Sequence, residues 1–165
     1  METEQLKQIQ APLKAQYTSD PEAAMVTLEA DGELGEGVSC SVTTGRALAE
    51  AGLHPATGGD GSQLCSGDML LEALAACAGV TLKAVATSLG IPVEGGRVHA
   101  EGDIDFRGTL AVDRDAEVGF RAIRLSFDLD TTASEEELET LLKLTERYCV
   151  VFQTLSTPPE LTVAA

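Results

Sequence analysis

The chain has 165 residues, 44% hydrophobic and 23% charged, long enough for one buried core and too short for two independent ones. Lys and Arg number 11 against 27 Asp and Glu, a formal charge of −16, and a field of that sign repels nucleic acid and anionic membrane surfaces. The hydrophobic content also excludes a disordered or collagen-like chain.

The first residues, METEQLKQIQAPLKAQY, lack both a basic start and a continuous apolar stretch, so export is not expected and the cytoplasm is the expected location. Leu6, Ile9 and Leu13 predict a short amphipathic helix over residues 2–16, interrupted at Pro12. From residue 23 the pattern alternates, with Met25, Thr27 and Glu29 against Val26, Leu28 and Ala30, and Asp31-Gly32 is expected to turn a hairpin. A second strand is predicted over 37–44, with Val38, Cys40 and Val42 on one face, which makes Cys40 a core residue. Residues 45–66 read as one long Gly-rich and polar loop. Ser66 is placed to cap the next helix, with Asp68 in its first turn.

Residues 69–89 are apolar on nearly every face, so this helix is expected to be surrounded by protein. Glu72, Thr81 and Lys83 interrupt the run, which argues for a core helix over a membrane span. Gly90 and Pro92 end it. Strands are predicted at 97–107 and 119–130; in the second, Ile123, Leu125, Phe127 and Leu129 share one face. Ser134 with Glu137 forms a capping box, and Leu138, Leu141, Leu142 and Thr145 make a helical stripe running toward Cys149. A short strand at 160–164 is expected to close the chain. The whole reads as one α+β domain over 23–165, preceded by an N-terminal extension over 1–22.

Cysteines stand at 40, 65, 77 and 149, with no Cys-x-x-Cys and no His-rich metal pattern. In a reducing compartment such residues are core fillers or reactive thiols. Periodicity leaves both readings open for Cys77, inside the apolar helix, and for Cys149, at the end of the amphipathic one. The stretch GDMLLEALAACAGVTL around Cys77, followed by ERYCVVFQTL around Cys149, resembles the signature of the OsmC/Ohr family (osmotically inducible protein C and organic hydroperoxide resistance protein). The order of predicted elements is similar as well. The resemblance implies antiparallel sheets wrapping two central apolar helices in an intertwined homodimer. It further implies reduction of organic hydroperoxides by two cysteines, with no cofactor or metal, and a lipoyl-type dithiol as reductant. Cys77 then takes the peroxidatic role and Cys149 the resolving one.

That chemistry needs a thiolate at the attacking sulfur and a second thiol to condense with the sulfenic acid. Cys149, at a predicted helix C-terminus, suits the resolving role, because the dipole there disfavours a thiolate. Cys77 lies too far along its helix for the positive end to help, so a nearby cation is expected. Family members usually place a Glu ten residues before the first Cys to hold an activating Arg; here that position is Gly67, and the nearest acids are Asp68 and Glu72. Arg46, the one Arg upstream of Cys77, is the expected activator, with Asp68 to hold it. The usual Pro after the second Cys is Val150.

Three alternatives accompany this reading. Cys65 is either an ordinary loop residue or a second resolving thiol assisted by His54, while His99 reads as structural. An OsmC-like protein that only binds a small apolar ligand in the dimer pocket is the main rival. A zinc site built from His54, Cys65, Cys77 and Cys149 is the third.

Overall fold

Alternating and helical periodicities succeed one another along the chain, and the elements follow that order. The computed structural model describes residues 3–5, 8, 10, 11, 15, 19, 31–34, 39–44, 47–111 and 113–164. Those described before residue 20 are helical. Then come β1 (Asp31–Leu34), β2 (Ser39–Thr44), β3 (Ala47–Gly52), a 3₁₀ turn (Pro55–Thr57) and β4 (Leu64–Cys65). The long helix α1 (Ser66–Leu89) is followed by β5 (Gly95–Ile104), α2 (Phe106–Thr109), β6 (Phe120–Asp130), α3 (Glu135–Tyr148) and α4 (Val150–Ser156). The result is a mixed α+β fold, made of two compact units: Met1–Val26, Ala73–His99 and Ser126–Ala165 in one, Thr27–Glu72 and Ala100–Leu125 in the other.

In the second unit β1, β2 and β3 pair antiparallel, with Leu34 opposite Cys40 and Ser39 opposite Gly52. β4 joins β3 in parallel, Gly52 opposite Cys65. Three expectations are corrected here. Asp31 and Gly32 lie within β1, opposite Thr43 and Val42, so the Asp-Gly pair makes no turn. The 45–66 stretch is not one loop, because ALAEAG forms β3; alanine and glycine carry little strand propensity, and the pairing rests on backbone bonds to β2. The strand expected over 97–107 stops at Ile104, where Asp105 caps α2 by accepting the Arg107 N–H. Residues 23–30, the Cys40 side chain and Arg46 lie outside the described residues.

β5 pairs with β6, and burial alternates along both, in β6 as the sequence predicts. On the exposed face Arg124 holds Glu101 at 2.6 Å and Asp103 at 2.5 Å. These are solvated pairs, worth at most about 1 kcal/mol each.

The first unit has its core where Leu82, Ala86, Ile91 and Leu141 meet, flanked by Val85, Val93, Phe127, Leu129, Ala133 and Leu142. α1 ends as predicted: Gly90 adopts φ 71°, and the Ile91 N–H reaches back to the Ala86 carbonyl at 2.9 Å, which turns Ile91 into the core. Only Leu74, Ala78, Leu82 and Ala86 of α1 are buried, a single stripe at four-residue spacing. Leu70, Val80 and Leu89 are exposed, so the described residues do not surround this helix. The capping box is present: Ser134 Oγ accepts from the Glu137 N–H at 3.3 Å, and Glu137 accepts from the Ser134 N–H at 2.8 Å. Ser134→Ala is expected to lower stability by about 1 kcal/mol in chemical denaturation, through loss of the cap. Residues 160–164 form no strand. The short helix α4, which the periodicity did not announce, precedes them.

Candidate active site

Cys77 sits on α1 beside the buried stripe, directly before Ala78, and is half-buried. Cys149 has no exposed surface. Its backbone does two jobs. The Cys149 N–H closes α3 by donating to Thr145 at 2.9 Å, and its carbonyl opens α4 by accepting from Gln153 at 2.9 Å. Between them the residue is extended, at φ −73° and ψ 108°, so the chain turns there without a Gly or Pro. The preceding turn is anchored by buried Thr145, whose hydroxyl donates to the Leu141 carbonyl at 2.8 Å.

This turn aims the start of α4 at Cys77. Burial pushes the Cys77 thiol up, but the neighbouring Val151 N–H, Cys149 thiol, Val150 N–H and Thr81 hydroxyl favour its thiolate and leave it below the ordinary cysteine range. For Cys149, burial raises the value and the Phe152 N–H lowers it. The Cys149 proton is then held by its hydrogen bond to Cys77 and by repulsion from a Cys77 thiolate, so the net direction is up. The surroundings therefore favour the thiolate at Cys77 and the protonated thiol at Cys149. Both thiols are free, with no disulfide.

The two cysteines singled out from sequence are thus brought together. Among the described residues the groups that favour a Cys77 thiolate are neutral; Arg46, the expected cation, lies outside them. Lys83 donates to the Val93 carbonyl at 2.6 Å, and Arg147 lies over the ring of its neighbour Tyr148, 5.7 Å from the centroid. Asp68 stands in the first turn of α1, as expected, and lines a separate cavity with Cys65 and His54. Thr81, four residues after Cys77, could have been found from helical spacing. Val150 and Val151 could not, because no residue type marks the break after Cys149. Among the described residues no group of three or more His, Cys, Asp or Glu is placed to hold a metal ion, so the zinc alternative gains no support.

Residues 59–164 match the model of the family described as OsmC-like protein. None of the curated proteins matches the chain at a significant level. Among solved structures, the OsmC-like protein of Mycoplasma pneumoniae is similar at a TM-score of 0.69 and 19% identity, over 81% of this chain and 89% of that one. An organic hydroperoxide resistance protein OsmC from Legionella pneumophila gives a TM-score of 0.63 at 19% identity, over 81% of this chain and 91% of that one. An organic hydroperoxide resistance protein from Elizabethkingia anophelis gives 0.61 at 16% identity, over 81% and 91%. Identities this low carry the fold, not the activity.

Proposed function

The chain belongs to the OsmC-like protein family, and from that premise we infer that it is a two-cysteine thiol peroxidase that reduces organic hydroperoxides. What supports this reading is the turn after α3, which sets Cys149 beside Cys77 as two free thiols, with neighbouring N–H groups favouring a Cys77 thiolate and burial favouring the Cys149 thiol. A peroxidatic thiol must be ionised, and a resolving thiol is best held as a proton reservoir until needed. The Cys77 thiolate attacks one peroxide oxygen and the O–O bond breaks. The departing alkoxide takes the Cys149 proton and leaves as the alcohol, with Cys77 now a sulfenic acid. The Cys149 thiolate then attacks the Cys77 sulfur and expels hydroxide, forming the Cys77–Cys149 disulfide. A lipoyl-type dithiol reduces that bond by two exchange steps.

The same reading assigns residues 23–165 to one OsmC-like domain and the protein to the cytoplasm. It also assigns a homodimer. By length and composition α1 could cross a membrane, yet it carries Glu72 and Lys83 and buries only one stripe. A second copy laid against the exposed Val80 face completes its burial. Light scattering at micromolar concentration is expected to give the mass of two chains, and Val80→Asp to give the mass of one. A wild-type monomer would refute the dimer.

The activity is tested by following cumene hydroperoxide with dihydrolipoamide as reductant. Steady loss of the peroxide, faster than that of hydrogen peroxide, is expected. Binding of cumene hydroperoxide or its alcohol without turnover would favour an OsmC-like binding protein instead.

A further inference from the structure

The junction of β4 and α1 puts Cys65, Gly67 and Asp68 on one wall of a cavity of about 340 Å³, within the unit formed by Thr27–Glu72 and Ala100–Leu125. Ile104, Phe106 and Phe120 form the facing wall. A second cavity of about 380 Å³ shares His54, Cys65, Gly67 and these same three apolar residues, so the two make one cleft, of the size that takes small molecules.

The cleft is open because two positions lack side chains. A Cβ at Gly67 would lie 3.5 Å from Cys65 Sγ and 3.6 Å from both Ile104 Cδ1 and Phe120 Cζ, so any larger group would fill the space these atoms enclose. A Cβ at Gly102 would come within 2.5 Å of Phe120 Cδ1, so glycine is what seats that ring. His54 lies flat against Phe106, centroids 5.0 Å apart at 14°. Its Nδ1 accepts the Ala56 N–H at 3.0 Å, which leaves the proton of the neutral ring on Nε2.

The polar groups of the cleft carry one sign. Asp68 and Asp103 line it, and no Lys or Arg does among the described residues. Arg124 occupies Asp103 through two hydrogen bonds of 2.5 and 2.9 Å, while no described side chain pairs with Asp68. Flat apolar walls with a carboxylate that pairs with no described side chain select a ligand with a flat apolar body and a cationic head, and repel carboxylates and phosphates.

We propose that this cleft binds small arylalkyl ammonium compounds, with the ring against Phe106 and Phe120 and the ammonium on Asp68. The test uses 2-phenylethylamine, with 3-phenylpropionate as its anionic counterpart, measured by calorimetry and by the rate of Cys65 alkylation. The amine is expected to bind and to protect Cys65, with the acid at least about tenfold weaker. Asp68→Asn is expected to weaken the amine about tenfold, and Gly67→Leu to abolish both binding and protection. Should Gly67→Leu fail to fold, Asp68→Asn decides alone. Absence of amine binding, equal binding of the acid, or unchanged affinity in Asp68→Asn would overturn the proposal.

Discussion

Cys77→Ser is expected to reduce hydroperoxide turnover to the uncatalysed rate, and Cys149→Ser to allow one turnover per chain and then stall. A serine hydroxyl placed among the same donors stays protonated at neutral pH, so the first variant has no nucleophile. The second keeps the attacking sulfur but lacks the thiol that expels hydroxide. Its Cys77 sulfenic acid then persists and is trapped by dimedone. One equivalent of peroxide lost without regeneration, followed by a dimedone adduct at Cys77, is the expected record. Sustained turnover in Cys149→Ser would move the resolving role to another thiol, with Cys65 the next in line.

Val150→Pro is expected to raise the Cys77 pKa by about one unit and to slow its alkylation about tenfold at pH values below that pKa. Proline removes a single N–H, and here that N–H is one of the neighbouring groups that favour the Cys77 thiolate. A hydrogen bond to a charged group is worth about 1.5–3 kcal/mol, and one pKa unit is about 1.4 kcal/mol. The backbone should accept the change. Position 150 is the first residue of α4, where proline is favoured, and Cys149 already has the extended conformation that a following proline requires. The sign is definite: less stabilisation of the thiolate shifts the alkylation profile to higher pH. Iodoacetamide rates from pH 5 to 10, with the denaturation midpoint as a control for folding, separate the two effects. Arg46→Ala is expected to move the profile less, since two backbone N–H groups already favour the thiolate; the reverse order would return the activating role to Arg46.

Much of the fold was legible where side-chain pattern and backbone agree. The alternation of Ile123, Leu125, Phe127 and Leu129, the Ser134–Glu137 box and the Gly90 stop are all found as read. What was not legible rests on backbone bonds that side chains do not announce. β3, written in Ala and Gly, pairs through its main chain, and Asp31-Gly32 continues a strand instead of turning. Cys77 and Cys149 were singled out by motif, and Cys149 does end α3 with its thiol pushed up, but the element that follows it was not legible. Cys149 was read as a helix end that disfavours charge. It ends α3 and also begins α4, and the start of α4 supplies N–H groups to Cys77. Positions far apart in sequence but joined by a main-chain turn leave no periodic trace.

The central claim is that Cys77 and Cys149 form one redox pair. Treating the reduced protein with one equivalent of cumene hydroperoxide, digesting without reductant and mapping the peptides tests it most directly. The expected result is a single dominant Cys77–Cys149 disulfide within one chain, reversed by dihydrolipoamide. A dominant Cys65–Cys77 link, or peroxide consumption with both thiols still free, would contradict it.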